Sequence, residues 1–145
     1  MAHEIVRHPI PGSDFPIAQA VEIPAGATTL YVSGQVPPVI DEGAEQGSRA
    51  AYGDTKTQTI GVLERIKAVL ESHDYAMNDV VKMQVFLVPD PENGGEMDFS
   101  GFMEGYTQYF GHKQGNLPAR SAMAVAALVV PGWLVEIEVT AVKAG

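Results

Sequence analysis

The chain has 145 residues, 46% hydrophobic and 19% charged, a balance that excludes an intrinsically disordered segment and leaves enough apolar surface to bury a core. Nine basic residues against eighteen acidic ones give a formal net charge of −9, which argues against nucleic acid and anionic membranes as partners. No cysteine is present, so disulfides, thiolate nucleophiles and cysteine-ligated metals are excluded. No apolar run resembles a signal peptide or a membrane span, and the expectation is a single domain over 1–145 located in the cytoplasm.

In chain order, 17–23 and 29–33 are short, partly β-branched runs separated by Pro24-Ala25-Gly26, a pattern that predicts a β-hairpin. The segment 34–53, with Pro37-Pro38, several glycines and three acids, predicts a long surface loop of the kind that flanks binding sites. Asp54 or Thr55 can cap a helix whose apolar stripe runs through Ile60, Leu63, Ile66, Lys67 and Leu70 and which stops at His73-Asp74. The cluster Arg65-Ile66-Lys67 lies in it, answered by Glu64 and Glu71.

Residues 79–88 then alternate as a strand with Val81, Met83, Val85 and Leu87 on one side. Phe99, Phe102, Met103, Tyr106, Tyr109 and Phe110 recur at helical spacing between Asp98 as cap and Gly111 as stop, and that stripe reads as core. The tail predicts a second hairpin, 119–128 and 133–142, turning at Pro131-Gly132, with Trp133 packed beside the turn. The order β-β-α-β-α-β-β predicts an α+β fold with a single sheet and two helices packed on one face. The penultimate strand is apolar on both sides, which calls for burial of the other face against another subunit.

No nucleophile elbow, phosphate loop, dinucleotide fingerprint or zinc-protease motif occurs. His3, His8, His73 and His112 lack metal-ligand spacing, so no metal or cofactor is expected. What remains is Arg120 in one tail strand and Glu136 in the next. A planar guanidinium binds a carboxylate bidentately, and a nearby glutamate can hold and deprotonate water. The same spacing fits a plain ion pair or two solvent-facing charges. Ser33-Gly34-Gln35 can offer a hydroxyl and backbone N–H groups to an oxyanion, or be only a turn.

The block Leu117-Pro118-Ala119-Arg120-Ser121, followed by an apolar strand and Val135-Glu136-Ile137-Glu138-Val139-Thr140-Ala141-Val142, resembles the signature of the Rid (YjgF, reactive-intermediate deaminase) family. Tyr31-Val32-Ser33-Gly34-Gln35-Val36-Pro37 and the middle blocks 66–70 and 79–87 extend the resemblance over nearly the whole chain. It implies a YjgF-like, chorismate-mutase-like α+β sheet assembled as a homotrimer with clefts between subunits. It also implies hydrolysis of reactive enamines and imines, such as 2-aminoacrylate or bulkier 2-imino acids, to 2-keto acids and ammonia without metal or organic cofactor. By resemblance, Arg120 grips the substrate carboxylate, Glu136 positions the attacking water, and Ser33, Gly34, Ile17, Met103 and Ala122 line the cleft. Ile17 stands where active members carry tyrosine and Met103 where they carry asparagine. Those two changes point to a bulkier substrate or to carboxylate binding without turnover.

Overall fold

The computed structural model describes residues 4–145; His3 lies outside them. The elements are β1 (Val6–Pro9), β2 (Ala18–Glu22), β3 (Thr28–Gln35), α1 (Arg49–Tyr52), α2 (Thr55–Ser72), a 3-10 turn (Met77–Asp79), β4 (Val80–Leu87), α3 (Phe99–Tyr106), β5 (Ala119–Ala124) and β6 (Val135–Lys143). The strands form one mixed six-stranded sheet in the order β1-β2-β5-β4-β6-β3.

This order departs from the sequence expectation at both hairpins. β2 pairs with β1, a strand the polar N-terminal pattern does not reveal, and touches β5 through the single pair Ala18 and Ala119. β3 instead closes the far edge against β6. In the tail, β4 inserts between the two expected partners, parallel to β5 and antiparallel to β6. β5 also ends at Ala124 rather than near residue 128. The reason is burial: β4 is apolar enough to be a central strand with neighbours on both sides, and it outcompetes the local hairpin.

Helix α2 begins where Asp54 accepts a 2.8 Å hydrogen bond from the Thr57 N–H. It buries Val62, Leu63, Ile66 and Leu70 completely against the sheet side chains Met83, Val85, Val135 and Ile137. Lys67 is exposed and Val62 takes the place assigned to it, while Ile60 is only half-buried. Arg65 donates to the Val36 carbonyl at 3.1 Å, and Glu64 accepts from the Tyr109 hydroxyl at 2.7 Å. The expected compensation of the basic cluster by Glu64 and Glu71 is thus not an ion pair.

Asp98 caps α3 through the Gly101 N–H at 2.9 Å, and the helix ends at Tyr106, before the glycine expected to stop it. Phe110 nevertheless stays on the stripe, stacked on Tyr106 with centroids 5.2 Å apart. Gly105 lets α3 approach α2 closely, because a Cβ there would stand 2.9 Å from Thr59. Both long helices lie on one face, so the opposite face of the sheet, with Tyr31, Lys82, Gln84 and Glu138, is uncovered within this chain. Trp133 packs edge-to-face on Tyr52, at 6.3 Å between centroids.

Candidate active site

Arg120 stands near the start of β5, directly opposite Met83 of β4, and therefore points to the helix-covered face. There α3 presents Phe99, Phe102 and Tyr106 at three-to-four-residue spacing. The guanidinium carbon lies 4.5 Å from the Tyr106 ring centroid, 5.2 Å from Phe102, 5.4 Å from Phe15 and 5.8 Å from Phe99. Such rings favour a cation by their quadrupole but offer it no hydrogen-bond acceptor. Among the described residues Nη1 makes a 3.4 Å hydrogen bond to the Met103 sulfur, and Nε is buried with no partner.

Burial works against the charge of Arg120, and the neighbouring Tyr106 phenol partly opposes that effect. Tyr106, itself fully buried, is pushed up to about 12 by desolvation, with Arg120 pulling the other way. It remains a donor at any working pH, and its hydroxyl bonds the Pro16 carbonyl at 2.7 Å. Because β2 and β5 share only one pair, the sheet splays beside Arg120. A cavity of about 400 Å³ opens there, lined by Ile10, Ile17, Gln19, Lys82, Arg120 and Ser121. Ala122 follows on the same face as Arg120, opposite Val85, and packs against the core.

Glu136 sits in β6 opposite Phe86, and Phe86 in turn faces Met123 of β5. That register turns Glu136 to the open face, away from Arg120 and across β4 from it. It stands against the irregular stretch of β3 between Val32 and Gln35, and a Cβ at Gly34 would collide with its carboxylate. Ser33 is exposed beside it. Two groups result: Arg120 with Ile17 and Met103, and Glu136 with Ser33 and Gly34. The ion pair that the tail spacing allowed does not form; among the described residues the ion pairs are His8–Glu22, Arg49–Asp90 and Arg49–Glu92.

The sequence pattern does not assign the aromatic box around Arg120 to the site. Its signal, an aromatic stripe at helical spacing, is indistinguishable from core until the register places Arg120 beneath it. Phe15 carried no signal at all.

The Ribonuc_L-PSP family model, described as Endoribonuclease L-PSP, matches residues 14–143. The chain belongs to the Rid (YjgF) family. A RutC family protein of Pyrococcus horikoshii is 38% identical over 128 residues, covering 88% of this chain and 87% of that protein. Escherichia coli TdcF, provisionally named a reactive intermediate deaminase, is 30% identical over 133 residues, covering 92% and 91% of the two chains. Among solved structures, the Rid family protein YyfB of Yersinia pestis superposes with a TM-score of 0.67 at 29% identity, covering 92% of this chain and 91% of the other. The E. coli TdcF crystal structure with bound serine superposes with a TM-score of 0.62 at 30% identity, covering 92% and 93%. The six-stranded α+β sheet described above is therefore a Rid sheet.

No helix among the described residues is long and apolar enough to cross a membrane.

Proposed function

We propose that this Rid protein hydrolyses 2-imino and enamine acids to 2-keto acids and ammonia, at clefts shared between subunits of a homotrimer. The observation that carries the proposal is Arg120, a half-buried guanidinium boxed by aromatic rings, with no carboxylate partner among the described residues. A desolvated cation with unused donors in a fork geometry is complementary to a small carboxylate arriving from outside. Serine bound in TdcF carries such a group.

Arg120 and Glu136 lie on opposite faces of one sheet, so a site that uses both is completed only by a second subunit. The uncovered face, where Lys82, Gln84 and Glu138 stand beside Tyr31, supplies the surface for it. In the reaction, Arg120 anchors the carboxylate so that the C=N carbon meets a water held by Glu136 of the neighbouring subunit. Glu136 takes a proton as the water oxygen bonds to carbon and the C=N electron pair moves to nitrogen. Starting from the protonated imine, this leaves a neutral amine on the carbinolamine. Glu136 returns its proton to that nitrogen, and as ammonia departs the carbonyl forms and the hydroxyl proton passes back to the Glu136 carboxylate. An enamine enters the same sequence after its terminal carbon is protonated to give the imine.

A second reading, carboxylate binding without turnover, is favoured by the apolar Ile17 and Met103 at positions where active members carry tyrosine and asparagine. One experiment separates the two. An amino-acid oxidase or dehydratase generates 2-aminoacrylate and bulkier imines, and semicarbazide trapping follows their decay with the protein present. Acceleration is expected, together with its loss in Arg120→Ala and in Glu136→Gln. Mixing those two inactive variants should restore activity, because about a quarter of the interfaces in a random one-to-one mixture pair an intact Arg120 with an intact Glu136. Tight binding of a keto acid with no acceleration of any imine would decide for the binding module, and failure of the mixture would remove the shared cleft.

A further inference from the structure

The segment 10–17 crosses the site as a strap. Residues 11–14 are exposed, and the strap's own backbone bonds are few: Ser13 N–H to the Ile10 carbonyl at 3.2 Å and Ile17 N–H to the Phe15 carbonyl at 2.8 Å. Two side chains, one at the end of α3 and one in the segment after it, hold it down. The Tyr106 hydroxyl donates to the Pro16 carbonyl at 2.7 Å, and His112 Nε2 bonds the Asp14 carbonyl at 2.9 Å. Between those anchors Phe15 reaches over Arg120, and Ile17 lines the adjoining cavity.

We propose that Tyr106 is a positioning residue of the Arg120 site, its ring fixing the guanidinium and its hydroxyl latching the strap that carries Phe15 and Ile17. This rests on the carboxylate-binding role assigned to Arg120 above. Tyr106 is suited to both tasks because one side chain meets both parts. Its ring centroid is 4.5 Å from the guanidinium carbon, while its hydroxyl meets a carbonyl ninety residues earlier in the chain. A phenylalanine there would pack the same core but leave the Pro16 carbonyl without that donor. The strap would then move relative to Arg120, and the wall facing the substrate side chain would lose its fixed position. Reaction chemistry at the C=N carbon, which depends on Glu136 and water, would be little affected.

The test uses 2-oxobutyrate as the binding probe, by calorimetry on the full-length protein, beside imine turnover. Tyr106→Phe should weaken 2-oxobutyrate about three- to tenfold, the worth of one hydrogen bond, and raise KM by the same factor with kcat unchanged. Phe15→Ala should weaken the probe as well. If the latch acts through the strap, the double variant should bind no worse than Phe15→Ala alone. Losses that add, or a Tyr106→Phe protein that melts earlier yet binds the probe as wild type does, would overturn the proposal and leave Tyr106 as core. Wild-type protein that binds 2-oxobutyrate without hydrolysing any imine would remove the deaminase reading and leave this inference intact. Wild-type protein that does not bind 2-oxobutyrate would remove both the Arg120 anchor and its latch.

Discussion

Arg49 donates Nε and Nη2 to the two oxygens of Asp90, each at 2.8 Å, and Nη1 to Glu92 at 2.8 Å. Arg120, drawn from the same residue type and also withdrawn from water, meets four aromatic rings and a thioether sulfur. The first arginine is a structural clamp, tying the loop 34–53, through the short helix α1, to the loop that follows β4. Its carboxylate partner Asp90 is 2% exposed, so neither end of the pair is free for anything else. The second arginine is largely buried, with Nη1 on the Met103 sulfur and Nε buried without a partner. Rings favour the charge but leave a buried donor unpaired, and the proposed carboxylate would supply the missing acceptor.

Substitution at each arginine should therefore fail in a different observable. Arg120→Ala should weaken carboxylate binding about ten- to a hundredfold, the range for a charge-assisted bidentate contact, while thermal stability stays the same or rises. Affinity measured by calorimetry beside a melting curve checks it, and a large drop in melting temperature with intact binding would invert the assignment. Arg49→Ala should lower stability by roughly 1.5 kcal/mol, at the modest end for a charged hydrogen bond because part of its fork faces solvent. Carboxylate affinity should be unchanged in a denaturant-titrated sample that still folds.

The clamp also has a pH signature that the boxed arginine lacks. The Arg49 hydrogen bond, outweighing burial, holds the Asp90 carboxyl below the usual carboxylate range. A carboxyl depressed in the folded state stabilises the fold fully above the unfolded value of about 3.9, and that contribution disappears as pH falls through the lower folded value. Asp90→Asn should flatten the stability profile below about pH 4 in urea titrations and leave its shape near neutrality unchanged. The smallest effect is expected at Met103→Asn, which exchanges the sulfur on Arg120 for an amide. Relative preference among imines should move toward short or polar side chains by roughly threefold, one hydrogen bond's worth of discrimination, in competition between 2-aminoacrylate and a branched imine.

The sequence by itself determined the α+β class, the Asp54 and Asp98 helix starts, the central apolar strand and the two residues on which the function is argued. Each is a local matter: a cap needs a carboxylate at one position, an amphipathic element needs its period, and the Arg120 and Glu136 blocks are contiguous. The strand order was decided only in three dimensions, because hydrogen-bond partners across a sheet leave no trace in spacing along the chain. The place of β4 between β5 and β6 follows from how much apolar surface that strand buries, whereas β1 beside β2 is an edge pairing of mostly exposed residues that no apolar period announces. The placement of β4 also settled the site. The inserted strand sets β5 and β6 apart, and its register puts Arg120 and Glu136 on opposite faces of the sheet. It also brings Arg120 beneath an aromatic stripe that, from its period alone, is only core.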